Sequence, residues 1–373
     1  MTTGFPVIAL PLIRDDLALS YVQVGLLFTV GEISSLLFEP LIGVWSDRGS
    51  KRLPVLLGTV LLAAGFGLFA AAPGPGWLMF AIAVIWPATG MAIGLAQATL
   101  VDSDPAEAAR TMTRVTISAG IGDLAAPAVA ASVLAAGLGW RPLFWLAAAL
   151  WTIQAVLLQG RRFPDPHRDA ERPHPWHRSW STLRSAVQDR TVLRWMAVVA
   201  LATLLDEVFL GFAGIYLAEV VGLAPGATGL AIGAGVAGAM AGLLVTDRLV
   251  PRMDPAAILR PASLLALAGL GTLLLARSGP AAAAALFVTG LGASAWYPVA
   301  SGEIYRLLPG RSGAVHALSV LLVTPVSLTV PPLVGLVANG HGILAGMAVL
   351  AAAPLLAMAV LPPRLRLGPT PPP

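Results

Sequence analysis

The feature that most constrains this chain is a series of apolar runs, each about 20 residues long and separated by short polar segments. An α-helix needs about 20 apolar residues to cross the roughly 30 Å hydrocarbon core of a bilayer. The runs of this length are residues 21–44, 53–72, 77–101, 112–136, 142–159, 195–217, 228–250, 258–276, 281–303, 313–338 and 343–361. The sequence therefore predicts an all-α, polytopic membrane protein with eleven full transmembrane helices.

Composition supports this class. Hydrophobic residues make up 57% of the chain and charged residues 11%, whereas soluble domains carry about 25% charged residues. The chain has no cysteine, which excludes disulfides and thiolate metal sites. Its basic residues are spread over the segments between runs and form no basic face, so nucleic acid is not an expected partner. We predict no metal site and no cofactor.

The start of the chain predicts a partial helix. Residues 1–13 are apolar but too short to span a bilayer, and no basic segment precedes them, so they do not resemble a signal peptide. Twelve spans would be regular, and this segment stands in the place of the first. A start truncated within the first helix is favoured over a half-length helix, because a half-span leaves backbone groups unsatisfied in lipid.

The distribution of arginine and lysine predicts the orientation. If residues 43–52 lie on the cytoplasmic side, Arg14, Arg141 and Arg277 fall on the opposite side and the other 20 of the 23 basic residues fall on the cytoplasmic side. The central segment and the C-terminus are then cytoplasmic.

A short polar loop occurs twice. Residues 43–52 read Gly-Val-Trp-Ser-Asp-Arg-Gly-Ser-Lys-Arg, and residues 242–252 repeat the order glycine, spacer, Asp-Arg and a further basic residue. A loop that recurs after corresponding runs of two halves indicates an internally duplicated membrane protein. The residues of the loop motif are Gly43, Asp47, Arg48, Lys51 and Arg52 in the first copy and Gly242, Asp247 and Arg248 in the second.

These features together resemble the major facilitator superfamily. The first loop resembles its motif between helices 2 and 3, and the second loop resembles the weaker repeat of that motif between helices 8 and 9. Gly139-Trp140-Arg141 resembles its turn between helices 5 and 6. The resemblance implies two pseudo-symmetric six-helix bundles, a cytoplasmic gate held by the loop Asp and Arg, a small-molecule substrate and a monomer in a bacterial cell membrane. The domains are then residues 1–159, a linker at 160–194, residues 195–361 and a disordered tail at 362–373.

Four carboxyl groups fall near the middle of predicted spans. An ionisable residue at that depth costs about 2.5–3.5 kcal/mol on insertion scales, so it is a functional candidate by default. Glu32 and Asp123 lie in the first half, and Asp206 and Glu207 in the second. Transporters of this architecture bind substrate at that depth, so we predict a proton-coupling site or substrate cavity here. The alternative for each is a bond to a neighbouring helix.

Three aromatic residues, Trp86, Trp296 and Tyr297, are candidates for the lining of that cavity, with packing as the alternative. Glu39 is interpreted as a gate or structural contact. His316 is interpreted as a helix-end residue, with a proton relay as the alternative. No basic residue lies at mid-membrane depth, so a neutral or cationic substrate is expected.

The function predicted is secondary transport by alternating access, with proton-coupled efflux preferred because the loop motif is strongest in exporters of the family. Trp86 stands where the drug antiporters of the family carry an arginine, which argues against a drug antiporter of the usual kind. An importer, a uniporter and a transport-dead fragment are the alternatives. A membrane enzyme is disfavoured, because the sequence has no phosphate-binding loop, zinc-protease motif or nucleophile elbow.

Overall fold

A computed structural model describes residues 9, 12–13, 16–19, 21–46, 50–161, 163, 184–223, 225–309 and 311–361. Within these ranges the chain is helical and contains no strand, which confirms the predicted all-α class. Several predictions fall outside the described residues: those for Asp47 and Arg48, for most of the first apolar segment, for most of the central linker and for the tail.

Eleven long helices run through the described ranges, one for each apolar run. They are α1 Tyr21–Ser46, α2 Arg52–Ala70, α3 Pro75–Ser103, α4 Ala108–Ala135, α5 Arg141–Gln159, α6 190–219, α7 Pro225–Leu249, α8 Pro255–Leu275, α9 Gly279–Leu307, α10 Ser312–His341 and α11 Ile343–Val360. Among the described residues, eight of these helices are long and apolar enough to cross a membrane on their own composition: all except α1, α4 and α6.

Two of the helices contain a π-helical turn. The first lies in α3 at Gly90–Gly94 and the second in α6 at Leu204–Val208. A π-helical turn changes the direction of the side chains that follow and is frequent at functional sites. The second turn contains two of the predicted mid-membrane carboxyls, Asp206 and Glu207.

The chain divides into two compact units that do not follow the sequence halves strictly. Unit 1 comprises Met1–Pro105, Ser118–Ser185 and Leu308–Thr324, and unit 2 comprises Ala106–Ile117, Ala186–Leu307 and Pro325–Pro373. The first turns of α10 therefore belong to unit 1, and the first turns of α4 belong to unit 2. The predicted domain bounds stay a prediction.

An aromatic cluster in unit 1 lies where α2 ends and α5 begins. The rings of Phe69 in α2 and Phe144 in α5 stack at 4.4 Å, and Trp140 meets Phe144 edge-on at 5.7 Å. Trp140 Nε1 and Arg141 Nη1 both donate to Asp16 Oδ2, at 3.0 and 2.6 Å. These two hydrogen bonds hold the pKa of the Asp16 carboxyl below its ordinary value.

Close helix contacts through glycine organise unit 2. α7 packs against α9, and α8 packs against both α9 and α11. A Cβ atom at Gly238 would overlap the carbonyl oxygen of Phe287, and one at Gly290 would overlap that of Gly235. Small residues at such crossings let the two backbones approach closely, as is usual between membrane helices.

Candidate functional site

A buried acid–imidazole pair joins α1 to the first turns of α10 within unit 1. His316 Nε2 lies 2.8 Å from Glu39 Oε2, and the two side chains are 13% and 8% exposed. Both groups change charge by taking up or losing a proton, so this contact can hold one proton between two helices.

The π-helical turn of α3 makes room for this pair. A Cβ atom at Gly90 would lie 2.9 Å from Glu39 Oε1, and one at Gly94 would lie 2.7 Å from His316 Nδ1. Any side chain at these positions would collide with the pair, so the two glycines are needed for the space it occupies. The turn therefore forms one wall of the site.

A second buried ionic contact lies at the loop end of the same helices. Lys51 Nζ, in the first loop motif, is 2.7 Å from Asp102 Oδ2 at the end of α3, and the side chains are 3% and 6% exposed. Ser312 Oγ, at the start of α10, donates to the same carboxylate oxygen at 2.6 Å. Asp102 thus binds both the loop motif and α10.

Two other residues of the first loop motif make close contacts. A Cβ atom at Gly43 would overlap the carbonyl oxygen of Gly313 and lie 2.9 Å from Ala317 Cβ, so α1 and α10 touch backbone to backbone here. Arg52 Nη2 donates to the carbonyl oxygen of Gln159 at 2.7 Å. A cation at a helix C-terminus is favourable because the last carbonyl groups carry partial negative charge.

The second loop motif is bound differently, within unit 2. Asp247 Oδ1 accepts from Arg114 Nε at 3.1 Å and lies 3.6 Å from Arg110 Nε, both at the start of α4. Arg248 is exposed and donates to the carbonyl oxygen of Leu244 in its own helix. A Cβ atom at Gly242 would overlap the carbonyl oxygen of Leu291, which places this glycine at the crossing of α7 and α9.

The mid-membrane carboxyls occupy different surroundings. Glu32 lies seven residues before Glu39 on α1 and is bonded by the side chain of Trp86, whose ring covers Gly31. Asp206 is exposed in its π-helical turn. For Asp123 and Glu207 the structure describes the backbone, in α4 and α6, and the role of all four stays a prediction.

The two predicted cavity aromatics of α9 differ in exposure. Trp296 is fully buried, whereas Tyr297 is 36% exposed. The Tyr297 side chain bonds to Ser301 and lies within electrostatic range of Asp206. Tyr297 therefore lies near a mid-membrane carboxyl, while Trp296 packs in the interior of unit 2.

Comparison with known proteins decides the family. The model of the Major Facilitator Superfamily matches residues 1–329. The chain belongs to the major facilitator superfamily. No curated protein matches the chain.

Solved structures of transporters share the fold. The E. coli fucose:proton symporter is 17% identical with a TM-score of 0.78, covering 96% of this chain and 94% of its own. A proton:xylose symporter is 16% identical with a TM-score of 0.76, covering 97% and 92%. A bacterial homologue of the iron transporter ferroportin, in an outward-facing state, is 19% identical with a TM-score of 0.72, covering 96% and 94%.

As a member of the major facilitator superfamily, the chain is a multi-pass membrane transporter of small solutes and not an enzyme. The contacts that sequence reasoning missed are those of Asp102 and the pairing of Glu39 with His316. Two glycines four residues apart, Gly90 and Gly94, were the available signal for a wall against which another helix packs closely.

Proposed function

We propose that the chain moves a small organic solute by alternating access, that a proton gradient drives the movement, and that export is the preferred direction. The observation that carries the proton coupling is the row of titratable groups on α1. Glu32 and Glu39 lie two turns apart on one face of α1. The side chain of Trp86 bonds Glu32, and His316 Nε2 lies within ion-pair distance of Glu39. Burial makes the charge of such groups costly, which suits uptake and release of protons.

Export is supported by the loop motif at residues 43–52, which is strongest in exporters of the superfamily. Symport is the second candidate, because two structures with the same fold are named as proton symporters. A neutral or cationic solute is proposed, because all 23 basic residues lie outside mid-membrane depth in the sequence. We place the protein as a monomer in a bacterial cell membrane, with its central segment and C-terminus cytoplasmic.

The test uses the full chain in liposomes that enclose a pH-sensitive dye. Neutral and cationic organic solutes are added one at a time under an imposed pH gradient of either sign, and proton flux is recorded. We expect a solute that drives proton flux. The relative direction of proton and solute then separates exchange from symport, whereas solute movement without proton flux would refute coupling.

Variants of the mid-membrane carboxyls test the site. Glu32→Gln and Asp206→Asn are expected to abolish solute-driven proton flux because each removes a proton acceptor. Glu219→Gln, at the exposed end of α6, is the matched control and is expected to retain it. Undiminished flux in both site variants would overturn the assignment of these residues.

A further inference from the structure

We propose that Glu39 and His316 form a proton-binding site whose single proton is bound while α10 is packed on α1. Its part in transport rests on the proposed proton coupling. The two groups that would share it are His316 Nε2 and Glu39 Oε2, which are 2.8 Å apart, within ion-pair distance. The site differs from the mid-membrane carboxyls, because it lies nearer the loop end of α1 and requires residues from two distant parts of the sequence.

The pair depends on the helix crossing beside it. Gly43, one turn along α1 from Glu39, touches the backbone of Gly313 and lies against Ala317. Gly313 and Ala317 flank His316 on α10. The acid and the imidazole therefore meet only when the two backbones are in contact, and separation of the helices separates the pair.

The surroundings of the pair make the loss of its shared proton unfavourable. The walls of the site at Gly90 and Gly94 carry no side chains, and the residues between them, Met91 to Ile93, are not titratable. With one proton, the pair is an imidazolium beside a carboxylate and has no net charge. If that proton leaves to water, a carboxylate remains beside a neutral ring in a nearly closed space, which is strongly disfavoured.

The other charged groups on the helices around the pair have partners of their own or lie farther along the chain. Glu32 on α1 is bonded by Trp86, two turns away. Lys51 and Asp102, at the ends of α2 and α3, neutralise each other. Arg311 stands just before α10, five residues from His316. Glu39 is therefore the charged neighbour whose contact with His316 depends on whether His316 is protonated.

The sign of the effect follows from linkage. A histidine that gains an anionic partner stabilises the contact at low pH, and this stabilisation is lost as the pH rises and the proton leaves. Proton binding and the packing of α10 on α1 thus reinforce each other. Rising pH is expected to increase the population in which the two helices are apart.

The experiment measures the separation of α1 and α10 directly. The chain has no cysteine, so spin labels attach only at introduced cysteines, Leu41→Cys and Leu322→Cys. Leu41 is 49% exposed and lies about 200° around α1 from Gly43. Leu322 is partly exposed and lies six residues after His316. Distance distributions are recorded for the full chain in liposomes between about pH 5 and about pH 8, the interval in which imidazole groups change charge.

We expect the ratio of short to long separations to fall about tenfold over this interval in the labelled parent. We expect either of two site variants, Glu39→Gln or His316→Gln, to reduce that change to less than about twofold. The variants are made separately, so that one folded variant is sufficient. His341→Gln, at the exposed far end of α10, is the matched control and should respond like the parent. An unchanged response in a folded site variant, or none in the parent, would overturn the proposal.

Proton flux on the same variants separates this site from the proposed function. A pH-dependent separation without any solute-driven proton flux supports the proton-binding site and refutes the coupling. Flux that persists at the parent level in both site variants overturns the role of this pair in coupling.

Discussion

The buried pair of Lys51 and Asp102 offers the sharpest test of how the loop motif is held. The two charges are 2.7 Å apart and 3% and 6% exposed, so water hardly screens them. Lys51→Met keeps most of the side-chain length and leaves the carboxylate without its cation. Breaking a buried pair from one side costs about 3–5 kcal/mol, because the remaining charge stays buried. We expect Lys51→Met to lower the free energy of unfolding by that amount.

The assay is unfolding in mixed micelles by increasing fractions of an ionic detergent, followed by tryptophan fluorescence. The double variant Lys51→Met with Asp102→Asn removes both charges and keeps an acceptor for Ser312. It is expected to lose less stability than Lys51→Met alone, since no isolated charge remains. Arg52→Gln is the control, because this exposed contact with a helix C-terminus is worth only about 0.3–1 kcal/mol.

Two results would refute this reasoning. If the free energy of unfolding of Lys51→Met lies within about 0.5 kcal/mol of that of the parent, the pair behaves like an exposed ion pair. If the double variant loses the sum of the stability losses of the single variants Lys51→Met and Asp102→Asn, the charges do not interact.

Three further predictions follow from contacts of single residues. Gly43→Ala places a methyl group against the start of α10 and should reduce transport and stability together, whereas Gly74→Ala, with open space around it, should change neither; equal effects would contradict the close contact. Hydrogen bonds lower the pKa of Asp16 below 3.8, so the stabilisation that Asp16 gives the folded protein is present above pH 3.8 and lost as pH falls through the lowered value. Asp16→Asn should therefore flatten the dependence of stability on pH in that acidic range. An unchanged dependence would exclude this contribution of Asp16. Asp247→Asn removes a partly exposed contact and should cost at most about 1 kcal/mol in the same unfolding assay; a loss of several kcal/mol would show that the contact is desolvated.

The helices were predictable because their signal is local and long. Eleven apolar runs correspond to eleven helices in the described ranges, and their ends differ by only a few residues in most cases. The start of α4 shows why the ends differ. Its first turn carries Arg110, so an apolar criterion begins the span too late, at residue 112, although the helix starts at Ala108.

The ionic contacts were not predictable, because tertiary packing decides them. Lys51 and Asp102 are 51 residues apart, and Ser312 lies a further 210 residues along the chain. No periodicity of hydrophobicity connects such positions. The sequence marked Glu39 and His316 separately as residues near helix ends, but their common location follows only from the crossing at Gly43. The π-helical turn of α3, which brings Gly90 and Gly94 to the pair, likewise has no clear sequence signature.

Unit 1 is formed by segments that are far apart in the chain, and this has a consequence for synthesis of the protein. Asp102 can meet Lys51 early, but its hydrogen bond from Ser312 must wait for 210 more residues. At about 5–20 residues per second, this delay is about 10–40 s. During that time the face of α1 around Gly43 has no α10 to cover it. A nascent chain that ends before Leu308 should therefore be open to contacts with other membrane helices, and to proteolysis, until the ribosome has supplied that segment.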